Sequence, residues 1–121
     1  MFEITKEFRF EAAHKLPLHD GKCARLHGHS WRGRLVLRAD KPIQCGPKTG
    51  MVQDFGDVSA VLRPFVDDVL DHRYLNDSTG LDNPTSELVA EWVFGMLKPF
   101  LPLLVAVEID ETCTSSARFE P

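Results

Sequence analysis

The sequence lacks the features of several large classes of protein. Its 121 residues contain only three cysteines, an odd number that does not fit a disulfide-stabilised secreted scaffold. No apolar run approaches the roughly 18 residues that a membrane-spanning helix needs. The first ten residues contain acidic side chains and no apolar core followed by a cleavage site, so we expect no signal peptide and a cytoplasmic location.

An excess of basic charge is also missing. The chain has fourteen Lys and Arg residues and eighteen Asp and Glu residues, so its net charge is -4. This negative charge argues against a general nucleic-acid binder. The content of 43% hydrophobic and 26% charged residues is typical of a globular protein. Because no repeat, low-complexity tract or linker divides the chain, we expect a single domain over residues 1–121.

Alternation of apolar and polar residues predicts two strands in the first third of the chain. In residues 2–14 all but one of the even positions carry apolar residues or a histidine, and in residues 27–39 the odd positions do so. Successive side chains of a strand point to opposite faces, so His14 shares the apolar face of the first strand. His27 and His29 share the apolar face of the second strand.

Helical spacing of apolar residues predicts two helices in the second half. The first begins near Val58, with Asp57 as its cap, and contains Pro64, which should bend or interrupt it. The second begins at Pro84. The other expected elements are a short strand over residues 51–55 and longer strands over residues 103–109 and 114–119. The four longer strands and two helices favour an α+β fold, a four-stranded antiparallel sheet with both helices on one face.

His27 and His29 are the most informative residues. Residues two apart on a strand point the same way about 6.6 Å apart, so the two imidazoles can converge on one metal ion. His14, on the neighbouring strand, supplies a third imidazole. Three histidines form a catalytic type of zinc site with an open fourth position, although nickel, iron and copper also accept imidazole. The alternative is three unrelated histidines, one or two of them hydrogen-bonded in the core.

Cys23 and the pair Asp71–His72 each leave more than one role open. Cys23 lies four residues before His27, where it can be a fourth zinc ligand, an activated base or nucleophile, or an inert loop cysteine. A carboxylate can orient an imidazole for proton transfer. Neighbouring residues rarely hydrogen-bond each other, however, so spacing alone favours His72 as a helix-terminal residue that interacts with the helix dipole.

Two other segments carry candidate binding residues. In residues 83–87, Asn83 or Thr85 can cap a helix, and the exposed amides and hydroxyls there can equally hold a polar ligand. Glu111 ends an apolar strand, where a carboxylate is either solvated or able to accept two parallel hydrogen bonds from a guanidine-like edge. Cys45 and Cys113 have no spacing that indicates a function.

Basic residues are concentrated near the proposed metal site. Positions 15–38 contain six basic residues and one acidic residue, so an anionic substrate would be drawn to this segment. The candidate contacts are Lys15, Lys22 and Arg25. A solvated strand face explains the other three better: Arg32, Arg34 and Arg38.

Together, five short segments resemble the 6-pyruvoyltetrahydropterin synthase family, from about Phe8 to Cys113. They are FEAAH at 10–14, CARLHGH at 23–29, LDH at 70–72 followed by LN at 75–76, PTSE at 84–87 and ET at 111–112. The three residues between the cysteine and HGH most resemble the bacterial 6-carboxy-5,6,7,8-tetrahydropterin synthases of the queuosine pathway. The segment Gln44–Lys48 is slightly longer than the family pattern.

The resemblance implies a role for each motif. The implied zinc ligands are His14, His27 and His29, and the implied catalytic residues are Cys23 as general base with Asp71 and His72 as proton-transfer partners. Glu111 would hold the pterin ring, with Thr85 and Ser86 nearby.

The resemblance also implies the tunnelling fold, in which sheets of several subunits join into a barrel. The implied assembly is a homohexamer of two stacked trimers with active sites between subunits. The implied reaction converts 7,8-dihydroneopterin triphosphate to 6-carboxy-5,6,7,8-tetrahydropterin, with release of triphosphate and acetaldehyde. The alternatives are a 6-pyruvoyltetrahydropterin synthase and a non-catalytic zinc-binding module.

Overall fold

The computed structural model describes residues 1–121 and contains a five-stranded mixed sheet with helices packed on one face. The strands are β1 (Phe2–His14), β2 (His27–Ala39), β3 (Arg73–Tyr74), β4 (Leu104–Thr112) and β5 (Ser115–Phe119). The helices are α1 (Phe55–Phe65), α2 (Leu75–Ser78) and α3 (Ser86–Leu97), with a 3₁₀ turn at Lys22–Ala24 and a π-helical turn at Val66–Leu70. None of the helices has the length and apolar character needed to cross a bilayer.

The two predicted N-terminal strands form the longest ladder of the sheet. They pair antiparallel in continuous register from Phe2 opposite Ala39 to His14 opposite His27. The alternation in the sequence therefore places one face of both strands against the helices. Phe10 and Trp31 stack across this ladder with ring centroids 5.7 Å apart, and both are almost fully buried.

The core lies between this face of the sheet and the helices. It is a cluster of twenty buried apolar residues, to which α1 contributes Val58 and Leu62 and α3 contributes Val89 and Val93. Burial of these side chains supplies the main driving force for folding. The predicted α+β fold with both longer helices on one face of the sheet is confirmed.

The predicted number and direction of strands are wrong. The sheet has five strands in the order β3-β1-β2-β4-β5, and β3 runs parallel to β1, with Ala12 opposite Arg73. A strand of two residues carries no periodic signal, so the sequence pattern could not reveal it. The predicted strand over residues 51–55 is also wrong, because residues 51–54 form a loop and Phe55 begins α1.

Polar side chains cap the N-termini of α1 and α3. Asp54, and not the predicted Asp57, caps α1, because its Oδ1 accepts a hydrogen bond of 2.7 Å from the Gly56 N–H. Thr85 caps α3, since its hydroxyl accepts from the Leu88 N–H at 3.2 Å. The second helix therefore begins two residues after the predicted position.

Pro64 lies inside α1, which continues to Phe65, so the proline does not break the helix at its own position. After Phe65 the chain enters a wider π-helical turn, in which the Asp71 N–H reaches the Val66 carbonyl at 2.8 Å. The next residue, His72, donates its N–H to the Glu11 carbonyl of β1 at 2.6 Å. The irregular end of the helix thus brings Asp71 and His72 to the edge of the sheet.

The sheet face that lies away from the core carries ion pairs. Three arginines of β2 contact carboxylates on neighbouring strands: Arg32 with Asp110 at 2.7 Å, Arg34 with Glu108 at 2.7 Å and Arg38 with Glu3 at 2.7 Å. Burial alone would raise the pKa of Asp110, but the hydrogen bond from Arg32 and the positive charges of Arg34 and Arg32 outweigh it and lower that pKa. The three arginines therefore belong to the strand face, as predicted, and are paired there.

Close packing across the ladder leads to a prediction about Gly33. This residue lies opposite Phe8, and a Cβ atom at position 33 would overlap atoms of the Phe8 ring. We expect Gly33→Ala to lower the free energy of unfolding by about 2 kcal/mol, the usual cost of overpacking a core. Urea denaturation at a fixed protein concentration measures the change.

Gly95 provides a matched control for the same substitution. It lies inside α3, and no atom is within 4 Å of an added Cβ. Because alanine favours a helix over glycine by about 1 kcal/mol, Gly95→Ala should stabilise the protein. A Gly33→Ala protein with an unchanged or higher urea midpoint would contradict the packing argument.

Candidate metal centre and active site

Three histidine rings and one carboxylate converge at the end of the β1–β2 ladder. The ring centroids of His14, His27 and His29 lie 4.6, 4.9 and 5.3 Å apart. Glu111, near the end of β4, brings its Oε1 to 3.0 Å from Nε2 of His14 and 3.4 Å from Nε2 of His29. One ligand atom from each of the four residues lies within 4.8 Å of all the others.

Backbone carbonyl groups orient two of these rings. The Nδ1 atom of His14 lies 2.9 Å from the Pro84 carbonyl oxygen, and that of His27 lies 2.6 Å from the Arg25 carbonyl oxygen. A carbonyl oxygen can only accept a hydrogen bond, so in each ring Nδ1 carries the hydrogen and Nε2 keeps its lone pair. Protein groups commonly orient metal-binding histidines in this way.

The Nε2 atoms of the three histidines are buried and have no hydrogen-bond partner. Burial lowers the pKa of His14 and of His29, so both rings are neutral at neutral pH. Nε2 of neutral His14 and the Glu111 carboxylate are then both acceptors, and two acceptors 3.0 Å apart need a proton or cation between them. The donor set therefore fits a metal ion, and imidazole with carboxylate is a set that zinc accepts.

Cys23 lies beside this cluster and is not part of it. It is half-buried in the 3₁₀ turn, and together with His27 and His29 it lines a cavity of about 450 Å³. The fourth group that converges with the histidines is Glu111, not the thiol. This geometry argues against the closed Cys/His site and leaves Cys23 close to whatever the histidines bind.

Asp71 and His72 contact each other directly, contrary to the expectation for neighbouring residues. Asp71 Oδ2 lies 2.9 Å from His72 Nδ1, while Asp71 Oδ1 accepts the Glu11 N–H at 2.8 Å. The hydrogen bond from Glu11, and then that from His72, lower the pKa of Asp71, which is ionised at neutral pH. His72 also has a φ of 57°, a strained conformation for a residue with a side chain. His72 therefore lies two residues after the helical turn with its ring held by Asp71, and its role in proton transfer stays a prediction.

His72 lines a second and more open cavity, of about 610 Å³. Its other lining residues include Glu11 and Arg73, and the metal-site residue His29 borders both cavities. Neither of these two cavities contains both Cys23 and His72. The proposed base and the proposed proton donor therefore line different cavities, which both border His29.

The start of α3 supports the histidine cluster. Thr85 uses its hydroxyl oxygen as the helix cap, and the preceding Pro84 supplies the carbonyl that orients His14. Ser86 is the first residue of the helix. The implied contacts of Thr85 and Ser86 with a ligand stay predictions.

Some supporting groups of the site were missed from the sequence. They are the carbonyls of Pro84 and Arg25, the backbone N–H of Glu11, and the cavity-lining residues Arg73 and Tyr74. Main-chain partners leave no side-chain motif, so no sequence signal could have identified the three backbone groups. The basic residue Arg73 directly after His72 was a signal that could have been used.

Comparisons with known proteins agree with this arrangement. The 6-pyruvoyl tetrahydropterin synthase family profile matches residues 3–121. A 6-carboxy-5,6,7,8-tetrahydropterin synthase from Synechocystis is 55% identical over 120 residues, which cover 98% of this chain and 93% of that protein. One from Haemophilus influenzae is 31% identical over 141 aligned positions that cover 99% of each protein.

A solved structure supports the same relationship. The 6-pyruvoyl tetrahydropterin synthase of Caenorhabditis elegans superposes with a TM-score of 0.84 at 28% identity, over 99% of this chain and 95% of that one. Its fold and the family match extend over the histidines, Cys23 and Glu111 together. The chain therefore belongs to the 6-pyruvoyl tetrahydropterin synthase family.

Proposed function

We propose that this chain is a zinc-dependent lyase that converts 7,8-dihydroneopterin triphosphate to 6-carboxy-5,6,7,8-tetrahydropterin and releases triphosphate and acetaldehyde. The reaction would serve queuosine (7-deazaguanine) biosynthesis in the cytoplasm. The observation that carries the proposal is the convergence of three partnerless histidine nitrogens with the Glu111 carboxylate. The 55% identity to the Synechocystis protein supports this choice of reaction within the family.

The histidines would hold the zinc ion through their Nε2 atoms. Zinc bound there would supply Lewis-acid chemistry, which acidifies hydroxyl and neighbouring C–H groups of a substrate. The main-chain carbonyls at Pro84 and Arg25 keep the hydrogens of His14 and His27 on Nδ1. The lone pairs of their Nε2 atoms therefore stay available for metal binding.

The protein side chains would move the protons. Cys23 borders the histidines and would accept a proton from the substrate side chain as a thiolate base. The Asp71 carboxylate holds Nδ1 of His72 and would stabilise the protonated ring, which can deliver a proton from Nε2. The backbone N–H of Glu11 keeps Asp71 in its charged form for this task.

Glu111 would bind the pterin ring. A carboxylate can accept two parallel hydrogen bonds from the pterin amino group and adjacent ring N–H, with Thr85 and Ser86 nearby. In the structure the same carboxylate contacts His14 and His29, which also makes it a candidate metal ligand. These two functions of Glu111 have different consequences for the zinc content of a variant.

The separation of Cys23 from His72 supports an active site shared between subunits. Each residue lines a different cavity, so a second copy of the chain would bring its Asp71–His72 pair to the Cys23 side of the first. Strands β3 and β5 form the two edges of the sheet and are free to pair with other copies. We propose a homohexamer in which the sheets join into a barrel.

The zinc content of variants tests the assignment of ligands. We expect His27→Ala to lose both zinc and activity, whereas Cys23→Ala should keep its zinc and lose at least about 100-fold in turnover, the usual effect of removing a general base. Glu111→Gln should keep zinc and raise KM. Elemental analysis of the purified proteins, with steady-state kinetics, measures these changes.

A cysteine elsewhere in the chain provides the control. Cys45 is exposed in the loop after β2, so Cys45→Ala should retain both zinc and turnover. Loss of zinc from Cys23→Ala would favour a structural, non-catalytic zinc module. Loss of zinc from Glu111→Gln would make that carboxylate a ligand and not the pterin anchor.

The product profile tests the reaction itself. Zinc-loaded protein given 7,8-dihydroneopterin triphosphate should release triphosphate and acetaldehyde in equal amounts and form the carboxy product. Mass spectrometry of the pterin and an aldehyde assay follow the two halves of the reaction. A pyruvoyl pterin without acetaldehyde would instead make the chain a 6-pyruvoyltetrahydropterin synthase.

Mixing two inactive variants tests the shared site. Subunits of Cys23→Ala and His72→Ala that are dissociated and reassembled together should regain about a quarter of wild-type activity, because random assembly pairs two intact residues at that frequency. Asp71→Asn mixed with His72→Ala is the control and should stay inactive, since both changes affect one proton-transfer unit. Absence of recovery in the first mixture would argue that each site belongs to one chain.

A further inference from the structure

The side chain of Asn76 continues the sheet where β3 ends. Strand β3 pairs with β1 only at Ala12 and Ala13, and the chain then turns into α2, which contains Asn76. The Asn76 Oδ1 atom accepts the Lys15 N–H at 3.0 Å, and the Asn76 Nδ2 group donates to the Lys15 carbonyl at 2.9 Å. A side-chain amide therefore takes the place of the next strand residue and holds both polar groups of the Lys15 backbone.

The same amide also reaches the loop before α3. Its Nδ2 group donates a second hydrogen bond, of 3.3 Å, to the Asp82 carbonyl. The orientation of the amide is fixed, because the Lys15 N–H can only donate and the two carbonyl oxygens can only accept. All the hydrogen-bonding groups of the Asn76 side chain are thus engaged with the main chain of two separate segments. We call these three hydrogen bonds the Asn76 clamp.

Both segments that the clamp joins also hold His14. Lys15 follows His14 directly in the chain. Asp82 lies two residues before Pro84, whose carbonyl oxygen is 2.9 Å from Nδ1 of the fully buried His14 ring. Asn76 therefore fixes the backbone next to His14 relative to the carbonyl that keeps the ring hydrogen on Nδ1.

The position of Lys15 also affects Cys23. The next residue, Leu16, donates its N–H to the Cys23 carbonyl at 2.8 Å. Residues 14–16 thus connect the histidine cluster to the 3₁₀ turn that carries the thiol. Asn76 itself lines neither of the two cavities that border the cluster, so it acts on a bound group only through the residues that it positions.

We propose that Asn76 is a positioning residue of the metal site and sets the metal affinity of the chain through His14. A ring that is already held with its lone pair directed at the ion needs no reorientation when the ion binds, and groups that hold a ligand in this way raise metal affinity. The clamp does so from outside the cluster, because it fixes the backbone on one side of His14 and the loop that carries the Pro84 carbonyl. That the ion is zinc rests on the proposed function, whereas the clamp is a contact of the fold.

The zinc affinity of Asn76→Ala, measured by competition with a chromophoric chelator, tests this role. We expect the dissociation constant to rise at least about tenfold, the usual effect of removing a group that orients a metal ligand. Asn76→Asp keeps the shape of the side chain, but it loses both donors and places a carboxylate oxygen against the carbonyls of Lys15 and Asp82. Its zinc affinity should fall at least as far, and this variant gives the answer if Asn76→Ala does not fold.

The absorption spectrum of the cobalt(II)-loaded protein separates positioning from a general loss of stability. The visible bands of cobalt depend on the arrangement of ligands around the ion. In Asn76→Ala the bands should change in position or intensity, because the His14 ring is no longer held in place. A residue that only stabilised the fold would lower the urea midpoint without changing the spectrum of the loaded protein.

Two control variants separate the clamp from the rest of the fold. Val58 is fully buried near the start of α1, which lies at the opposite end of β1 from His14, so Val58→Ala should lower the urea midpoint and leave the zinc affinity and the cobalt spectrum unchanged. Gln44→Ala removes another side-chain amide, which donates to the Pro42 carbonyl in the loop after β2, and should change neither property. Wild-type zinc affinity and a wild-type cobalt spectrum in Asn76→Ala, or an equal loss of zinc affinity in Val58→Ala, would overturn the proposal.

Failure of the clamp and failure of the proposed reaction give different results. Zinc affinity that depends on Asn76, in a protein that does not convert the pterin triphosphate, would support the clamp and reject the reaction. Conversion of the pterin triphosphate, together with wild-type zinc affinity in Asn76→Ala, would reject the clamp and keep the reaction. Support for both is a weaker zinc affinity of Asn76→Ala and, with zinc saturating, a kcat lowered about tenfold at nearly constant KM, since the clamp positions Cys23 and does not touch the substrate.

Discussion

The register between β1 and β2 is the constraint on which the site depends. It sets His14 opposite His27, with His29 one alternation further along the same face. Because side chains alternate across a sheet, a slip of one residue would turn a complete set of side chains to the opposite face and separate the histidines. The same register brings Phe10 against Trp31, so the packing of the core and the assembly of the cluster reinforce each other.

A group of acceptors without donors is the chemical consequence of that register. The three Nε2 atoms and the Glu111 carboxylate are held together by the fold although they do not attract one another. The ring nitrogens that do form hydrogen bonds use main-chain carbonyls, which fix the tautomers and leave the lone pairs directed inward. Such an arrangement strongly favours the binding of a cation. Cation binding would add to the stability of the fold.

The two cavities that border His29 contain different candidate catalytic residues. One is lined by the thiol of Cys23 with Lys22 and Arg25, and the other is lined by His72 and the Glu11 carboxylate. A chain of 121 residues buries a limited core and has little material with which to enclose a substrate. Sharing the site among copies would solve this problem and would cover the two sheet edges at the same time.

The sequence by itself determined the two long strands and the common face of the histidines, because alternation of side chains is a local property. Only the tertiary structure decided which groups meet across large separations, such as the contact of Glu11 with Asp71 over 60 residues and that of His14 with Pro84 over 70. Main-chain partners and a parallel strand of two residues leave no pattern in side-chain chemistry, so they become visible only when the chain is folded.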